Sequence, residues 1–156
     1  MTQPRRWLID KSALARLSRA SDRDQWQQRV VRGLVHVSSL TLLEAGFSAR
    51  SERDWSAIIT EPPIVDMPIA GVTPQAESRA LEVQRELTRR GTHRGPGPAD
   101  LLIAATAELQ GLTVLHVDRD FELIADVTGQ PLERLAGAFR PRVARAAVRP
   151  SSGVKR

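Results

Sequence analysis

The chain has 156 residues, the size of one domain, and carries 23 Lys and Arg against 18 Asp and Glu, a formal net charge of +5. It has no cysteine, which excludes disulfides, thiol catalysis and Cys-ligated zinc, and its three histidines (His36, His93, His116) lack metal-ligand spacing. No apolar stretch approaches the ~18 residues of a membrane span. The run Trp7-Leu8-Ile9 is too short for the core of a signal peptide. An intracellular, cytoplasmic protein without a membrane partner is therefore expected. The positive balance suggests an anionic partner such as nucleic acid. Its distribution is uneven, however, because residues 138–156 hold six basic side chains and no acidic one. Two domains of behaviour are expected: a folded unit over 1–137 and a flexible basic C-terminal tail over 138–156.

Trp7-Leu8-Ile9 reads as a short buried strand that ends at Asp10. A helix is predicted over Ser12–Arg19, and a second over Asp22–Arg32 holding Trp26, Val30 and Val31 and closed by Gly33. Leu34–Ser38 reads as a strand, and Ser38 or Ser39 can cap a helix running to about Arg50. A helix over Ser51–Thr60 would bury Trp55, Ile58 and Ile59, and Pro62-Pro63 ends it. Ile64–Val65 is predicted to start a third strand. Pro74–Arg90 forms a helix whose apolar face is supplied by Ala76, Ala80, Leu81, Val83 and Leu87. Gly91–Pro98 is a loop on composition, with Pro98 suited to the first helical position. Asp100–Gln110 is a helix apolar on nearly all sides, which should be buried. Thr113–Val117 is a strand, Phe121–Val127 a short helix, and Leu132–Leu135 an edge strand. Short apolar strands alternating with helices imply an α/β fold with a parallel sheet covered on both faces.

Four carboxylates stand where acids are costly. In open α/β sheets ligands bind at the carboxyl ends of strands. Asp10 and Asp118 end two strands, and they share a crevice if those strands are neighbours. Glu44 has Leu40 and Phe47 as helical neighbours, which puts it on or beside a buried face. An ionised carboxylate there costs several kcal/mol unless it is paired or binds a metal; the plainer alternative is an ion pair with Arg50. Asp100 lies in the first turn of the most apolar helix, where plain helix capping competes with a functional role. Clustered without a cation, these groups would repel by ~4 kcal/mol per ionised pair at 4 Å and an effective dielectric of 20. All-oxygen ligands suit Mg²⁺ or Mn²⁺ and not zinc.

Four stretches carry a resemblance: Leu8-Ile-Asp-Lys-Ser-Ala-Leu14, Val37-Ser-Ser-Leu-Thr-Leu-Leu-Glu-Ala-Gly-Phe47, Pro98-Ala-Asp-Leu-Leu-Ile-Ala-Ala-Thr-Ala-Glu108 and His116-Val-Asp-Arg-Asp-Phe121. In order and spacing, over about residues 5–136, the chain resembles the PIN-domain ribonucleases, and most closely the VapC toxins of VapBC-type (type II) toxin–antitoxin systems. The resemblance implies a three-layer α/β/α sandwich with a central, mainly parallel sheet of four to five strands. It implies an endoribonuclease that inhibits translation until neutralised by its antitoxin. It places Asp10, Glu44, Asp100 and Asp118 as catalytic and metal-binding residues for Mg²⁺ or Mn²⁺. Asp120 is the open member, since it equally suits the cap of the Phe121 helix. Ser12 matches a family Ser/Thr position and would support the site from behind; Thr41 could do the same or be an ordinary helix residue. The partners implied are a VapB-type antitoxin, contacting helices near residues 12–60, and an RNA substrate (transfer, ribosomal or messenger). A homodimer is implied, and a heterotetramer or larger assembly with antitoxin.

An acidic site repels RNA, so nearby basic groups are candidate phosphate contacts: Lys11, His93, Arg94 and Arg119. Competing classes fit less well. A receiver domain needs a lysine after its last strand, and none lies between Lys11 and Lys155. A HAD-type phosphatase needs an aspartate two residues after Asp10, where Ser12 stands. A noncatalytic PIN-like RNA- or protein-binding domain is the remaining alternative, and the intact carboxylates argue against it.

Overall fold

The computed structural model describes residues 2–137; the expected basic tail lies outside the described residues. Four strands, β1 (Trp7–Ile9), β2 (Val35–Val37), β3 (Thr113–His116) and β4 (Leu132–Arg134), form one sheet in the order β2-β1-β3-β4. Every pairing is parallel, with Ile9 opposite Val37 on one side and Leu115 on the other. The chain leaves β1 toward β2 and later returns to the opposite side of β1 with β3. The direction of winding therefore reverses between β1 and β3, and the crevice at their carboxyl ends is the topological switch point.

The strands are buried because both faces are covered, and successive side chains point to opposite faces. Leu8 and Val114 face a cluster built with α5 (Pro74–Arg89), α6 (Pro98–Gln110) and α7 (Asp120–Thr128). Trp7, Ile9, Val35, Val37 and Leu115 face the second cluster, which takes in Ala13 of α1 (Lys11–Leu14) and Trp26 and Val30 of α2 (Arg23–Val31). This is the α/β three-layer sandwich, with four strands and a parallel sheet. No helix of the described residues is long and apolar enough to cross a membrane.

Several predicted elements change on folding. The helix expected over Ser12–Arg19 breaks after Leu14, and the chain tightens into a 3-10 turn at Leu17–Arg19 while keeping Ala13 and Leu17 buried. Val31 lies on the exposed side of α2. The predicted strand at Ile64–Val65 is a 3-10 turn, Ile64–Asp66; its partner role beside β2 falls to Ile69, which makes a single bridge to Val37. α3 (Ser39–Phe47) is capped by Ser38, whose hydroxyl accepts the Thr41 N–H, and stops short of Arg50. The next helix, α4 (Glu52–Thr60), buries none of its residues: Trp55 is 48% exposed, and Ile58 and Ile59 are only partly covered. α4 packs on α3 and the 3-10 turn instead of the sheet. Leu81 is also misjudged by composition. Ala76, Ala80, Val83 and Leu87 form the buried stripe of α5, while Leu81 lies roughly 140° around the helix from Ala76 and is 68% exposed. The apolar α6 is largely buried as expected, apart from the exposed Leu109.

Candidate active site

The switch point between β1 and β3 gathers carboxylates. The Asp10 N–H donates to the Leu115 carbonyl at 3.0 Å, which carries the β1–β3 pairing one residue past the strand and fixes Asp10 at its end. Asp10 is buried and caps α1, its Oδ2 accepting the Ser12 N–H at 2.9 Å. The capping and site readings of Asp10 are thus compatible: one oxygen accepts that bond, and the residue lines a cavity of about 290 Å³ together with Glu44, Asp100 and Asp118.

Asp100 is the third residue of α6, behind Pro98 at the first position, and its Oδ2 accepts the Gly97 N–H at 2.9 Å. Burial pushes its carboxyl up to about 6. The Gly97 bond opposes the rise, and the neighbouring charges of Asp10, Asp118 and Asp120 add to it. Asp118 lies just past β3, and its Oδ1 accepts the Asp120 N–H at 3.0 Å. Oxygens of Asp100, Asp118 and Asp120 lie within 4.8 Å of one another, a spacing that suits a shared cation. Asp120 opens α7 without lining the cavity itself. Burial, and then the Asp118 charge, raise its carboxyl above the usual range.

Glu44 reaches the same cavity from α3. The reason offered by the sequence was its neighbour Phe47, but Phe47 is 91% exposed. Glu44 is half-covered by the cavity wall. Burial and then the Asp10 charge raise its carboxyl, and Lys11 opposes them. The alternative ion pair with Arg50 does not form, because Arg50 is bound to Asp54.

Ser12 joins the parts. Its N–H binds Asp10, its Oγ accepts the Val117 N–H at 3.1 Å, and its carbonyl accepts from Arg16 Nη1 at 2.9 Å. Thr41 is buried and donates its hydroxyl to the Ile9 carbonyl at 3.2 Å, tying α3 to β1 just ahead of Asp10. The segment carrying Asp118 is held from behind by two further side chains. His116 is buried and its Nδ1 lies 2.8 Å from the Asp118 carbonyl, so that nitrogen carries the proton, since a carbonyl only accepts. Arg134 of β4 donates to the Val117 carbonyl at 3.2 Å.

Of the proposed phosphate contacts, Lys11 lines the cavity, whereas His93, Arg94 and Arg119 do not. Arg94 and Arg119 are exposed and His93 is partly buried. The loop that carries His93 and Arg94 meets the cluster at Gly95, where an added Cβ would lie 3.1 Å from Asp120 Oδ1. Sequence reasoning missed Arg16 and His116. Arg16 stands four residues after Ser12 within the helix predicted over Ser12–Arg19, and His116 two before Asp118; those spacings were the available signals. Asp10, Glu44, Asp100 and Asp118 thus meet in one cavity with Asp120 adjoining. The donor set is all oxygen and mutually repulsive, which fits a hard divalent cation such as Mg²⁺ or Mn²⁺.

The PIN domain family model matches residues 7–127. The chain is 58% identical over 130 residues to Ribonuclease VapC2 of Mycobacterium tuberculosis, covering 83% of this chain and 92% of the relative. It is 41% identical over 133 residues to Ribonuclease VapC51 of the same species, covering 85% and 95%. Among solved structures, it resembles the DNA-bound VapBC of Salmonella typhimurium at 23% identity, with a TM-score of 0.67 over 84% of this chain and 98% of that one. It also resembles VapBC-5 of Mycobacterium tuberculosis at 21% identity, with a TM-score of 0.58 over 85% and 99%. At those identities the structures bear on fold alone. The chain belongs to the VapC family of PIN-domain proteins, the toxins of VapBC type II toxin–antitoxin systems.

Proposed function

We propose that this chain is a metal-dependent endoribonuclease that hydrolyses RNA phosphodiester bonds and acts as a toxin until its antitoxin neutralises it. The observation that carries the reading is the convergence of Asp10, Glu44, Asp100 and Asp118, with Asp120 beside them, on the switch-point crevice. Asp100 is held there at a cost, with its carboxyl pushed up to about 6. Such a site stores repulsion that a divalent cation relieves.

Asp10, Asp100 and Asp118 would hold the ion, with Glu44 and Asp120 completing its surroundings. When bound, Mg²⁺ or Mn²⁺ would act as a Lewis acid on the scissile phosphate and lower the pKa of the attacking water. The protein's part is to keep the acids in place. Ser12 and Gly97 N–H groups orient Asp10 and Asp100, and the His116 and Arg134 bonds hold the segment that presents Asp118. An unprotonated carboxylate among them accepts the proton the water loses. Lys11 offsets the negative field toward the incoming backbone. An RNA substrate places the site of action in the cytoplasm.

The antitoxin reading is supported by a second cavity of about 920 Å³ between α1, α2, α3 and α4. Its floor is apolar, with Leu14, Leu17, Val30 and Ile58, and its rim carries Arg23, Asp24 and Glu61. It shares Lys11 and Ala15 with the acidic cavity, so a peptide segment lying in it would end at the carboxylates. We assign residues 1–137 to the nuclease domain and 138–156 to a separate basic tail. The test is Mg²⁺ binding and RNA cleavage by the wild type and Asp10→Asn. Cleavage that depends on Mg²⁺ and is lost in Asp10→Asn is expected; equal cleavage by both would refute the nuclease, and metal-free binding of RNA by both would favour a noncatalytic binding domain.

A further inference from the structure

The acidic cavity is lined by four carboxylates and two cations, Lys11 and Arg16. A phosphodiester entering it meets a field of its own sign, so at least one cation must remain available to the phosphate. Lys11 is a divided candidate: its charge acts on Glu44, and the residue also lines the larger cleft.

Arg16 differs in a specific way. It is partly buried at the cavity wall, and among the described residues it makes no ion pair, although the carboxylates line the same cavity. Other arginines of the described residues close onto acids, as Arg89 and Arg90 do with Glu86 and Arg79 does with Glu108. Arg16 instead spends one donor, Nη1, on the Ser12 carbonyl at 2.9 Å. A guanidinium has five N–H donors in a rigid fork, so this bond anchors the group and leaves the rest of the fork for an anion.

The anchor also sets the distance to the acids. The same Ser12 donates its N–H to Asp10 and accepts the Val117 N–H through Oγ. One residue therefore ties together the guanidinium, the first carboxylate and the end of β3 that presents Asp118. A cation fixed relative to the acids by such short bonds, without closing onto them, is arranged to hold an anion between itself and them.

We propose that Arg16 is a substrate-contacting residue whose guanidinium fork binds the RNA phosphate held over the acidic cluster. This rests on the nuclease reading and goes beyond it by naming the group that receives the phosphate. Because recognition uses the fork, lysine at this position restores the charge but not the full contact.

The test compares wild type, Arg16→Gln, Arg16→Lys and the surface control Arg89→Gln, all confirmed folded by thermal melting. The probe is a short labelled single-stranded oligoribonucleotide bound in Ca²⁺, with Mg²⁺ affinity measured separately by titration calorimetry. For Arg16→Gln, RNA affinity should fall about tenfold or more, the salt dependence should drop by about one counterion, and Mg²⁺ affinity should be unchanged or tighter. Arg16→Lys should recover only part of the loss, and Arg89→Gln should stay within about twofold of wild type. Arg16→Gln binding RNA within about twofold of wild type with the same salt slope would overturn the assignment. So would a loss of Mg²⁺ binding, which would show that Arg16 only props up the acids. Wild type that binds neither Mg²⁺ nor RNA would refute the nuclease reading, and this inference with it; wild type that binds both, with an indifferent Arg16→Gln, refutes this inference alone.

Discussion

Asp100→Asn should make the cation-free protein more stable while removing its response to Mg²⁺. The Asp100 carboxyl stands at about 6 in the folded chain against an ordinary 3.8. A carboxyl raised on folding holds its proton more tightly in the native state. Its cost is absent below the unfolded pKa, grows as pH rises from about 4 to 6, and is fully present above that. Each unit is worth about 1.4 kcal/mol, so two units approach 3 kcal/mol; allowing for partial solvent access, about 2 kcal/mol is expected at pH 7.5. Asparagine removes the charge and still offers an oxygen to the Gly97 N–H, so that bond survives. At about 2–4 °C per kcal/mol for a chain of this size, the variant should melt about 4–8 °C higher in EDTA at pH 7.5. Wild type in EDTA should gain stability as pH falls from 7.5 toward 5, and the variant should gain less. Adding Mg²⁺ at 100 times its dissociation constant should stabilise wild type by about 2.7 kcal/mol and leave the variant nearly unmoved. The assay is circular-dichroism melting with and without Mg²⁺, with the exposed Asp126→Asn as control. An Asp100→Asn protein that melts below wild type in EDTA, or an equal Mg²⁺ shift in both, would refute the reasoning.

His116→Asn keeps a donor for the Asp118 carbonyl and should retain Mg²⁺ affinity, whereas His116→Phe leaves that carbonyl without its partner, costing about 1–3 kcal/mol and weakening Mg²⁺ binding in calorimetry. Gly46→Ala puts a methyl 2.6 Å from Trp55 Nε1, so α4 must shift on α3; a loss of about 1–2 kcal/mol in urea unfolding and a moved tryptophan fluorescence maximum are expected. On the assignment of residues 1–137 to the nuclease domain, removing residues 138–156 should leave the melting temperature within about 2 °C. Arg79→Met breaks the two bonds to Glu108 that join α5 to α6, and its cost should stay near 1 kcal/mol because the pair is partly exposed.

The net charge that first suggested nucleic acid turned out to be a poor guide, since all of the excess belongs to residues 138–156 and the described domain has an acidic site. The sequence by itself determined the α/β class, through short apolar runs separated by amphipathic helices, and most of the helices, through local signals such as the Ser38 cap and Pro98 at a first helical position that act within one turn. It also named the carboxylates, because Asp10 and Asp118 follow directly from where apolar runs stop. It misjudged Leu81, Phe47 and Trp55, since periodicity assigns a residue to a side of its helix but does not say whether that side meets the sheet. It misread Ile64–Val65, because a two-residue apolar run has no period to distinguish a strand from a turn. Only the tertiary structure decided that β1 and β3 are neighbours, which turns two separated strand ends into one crevice. It also brought Asp120 to Asp100 and anchored Arg16 through Ser12. The β1–β3 pairing joins segments about 106 residues apart in the chain, as Trp7 and Thr113 are, and local propensity carries no information on which strand pairs with which.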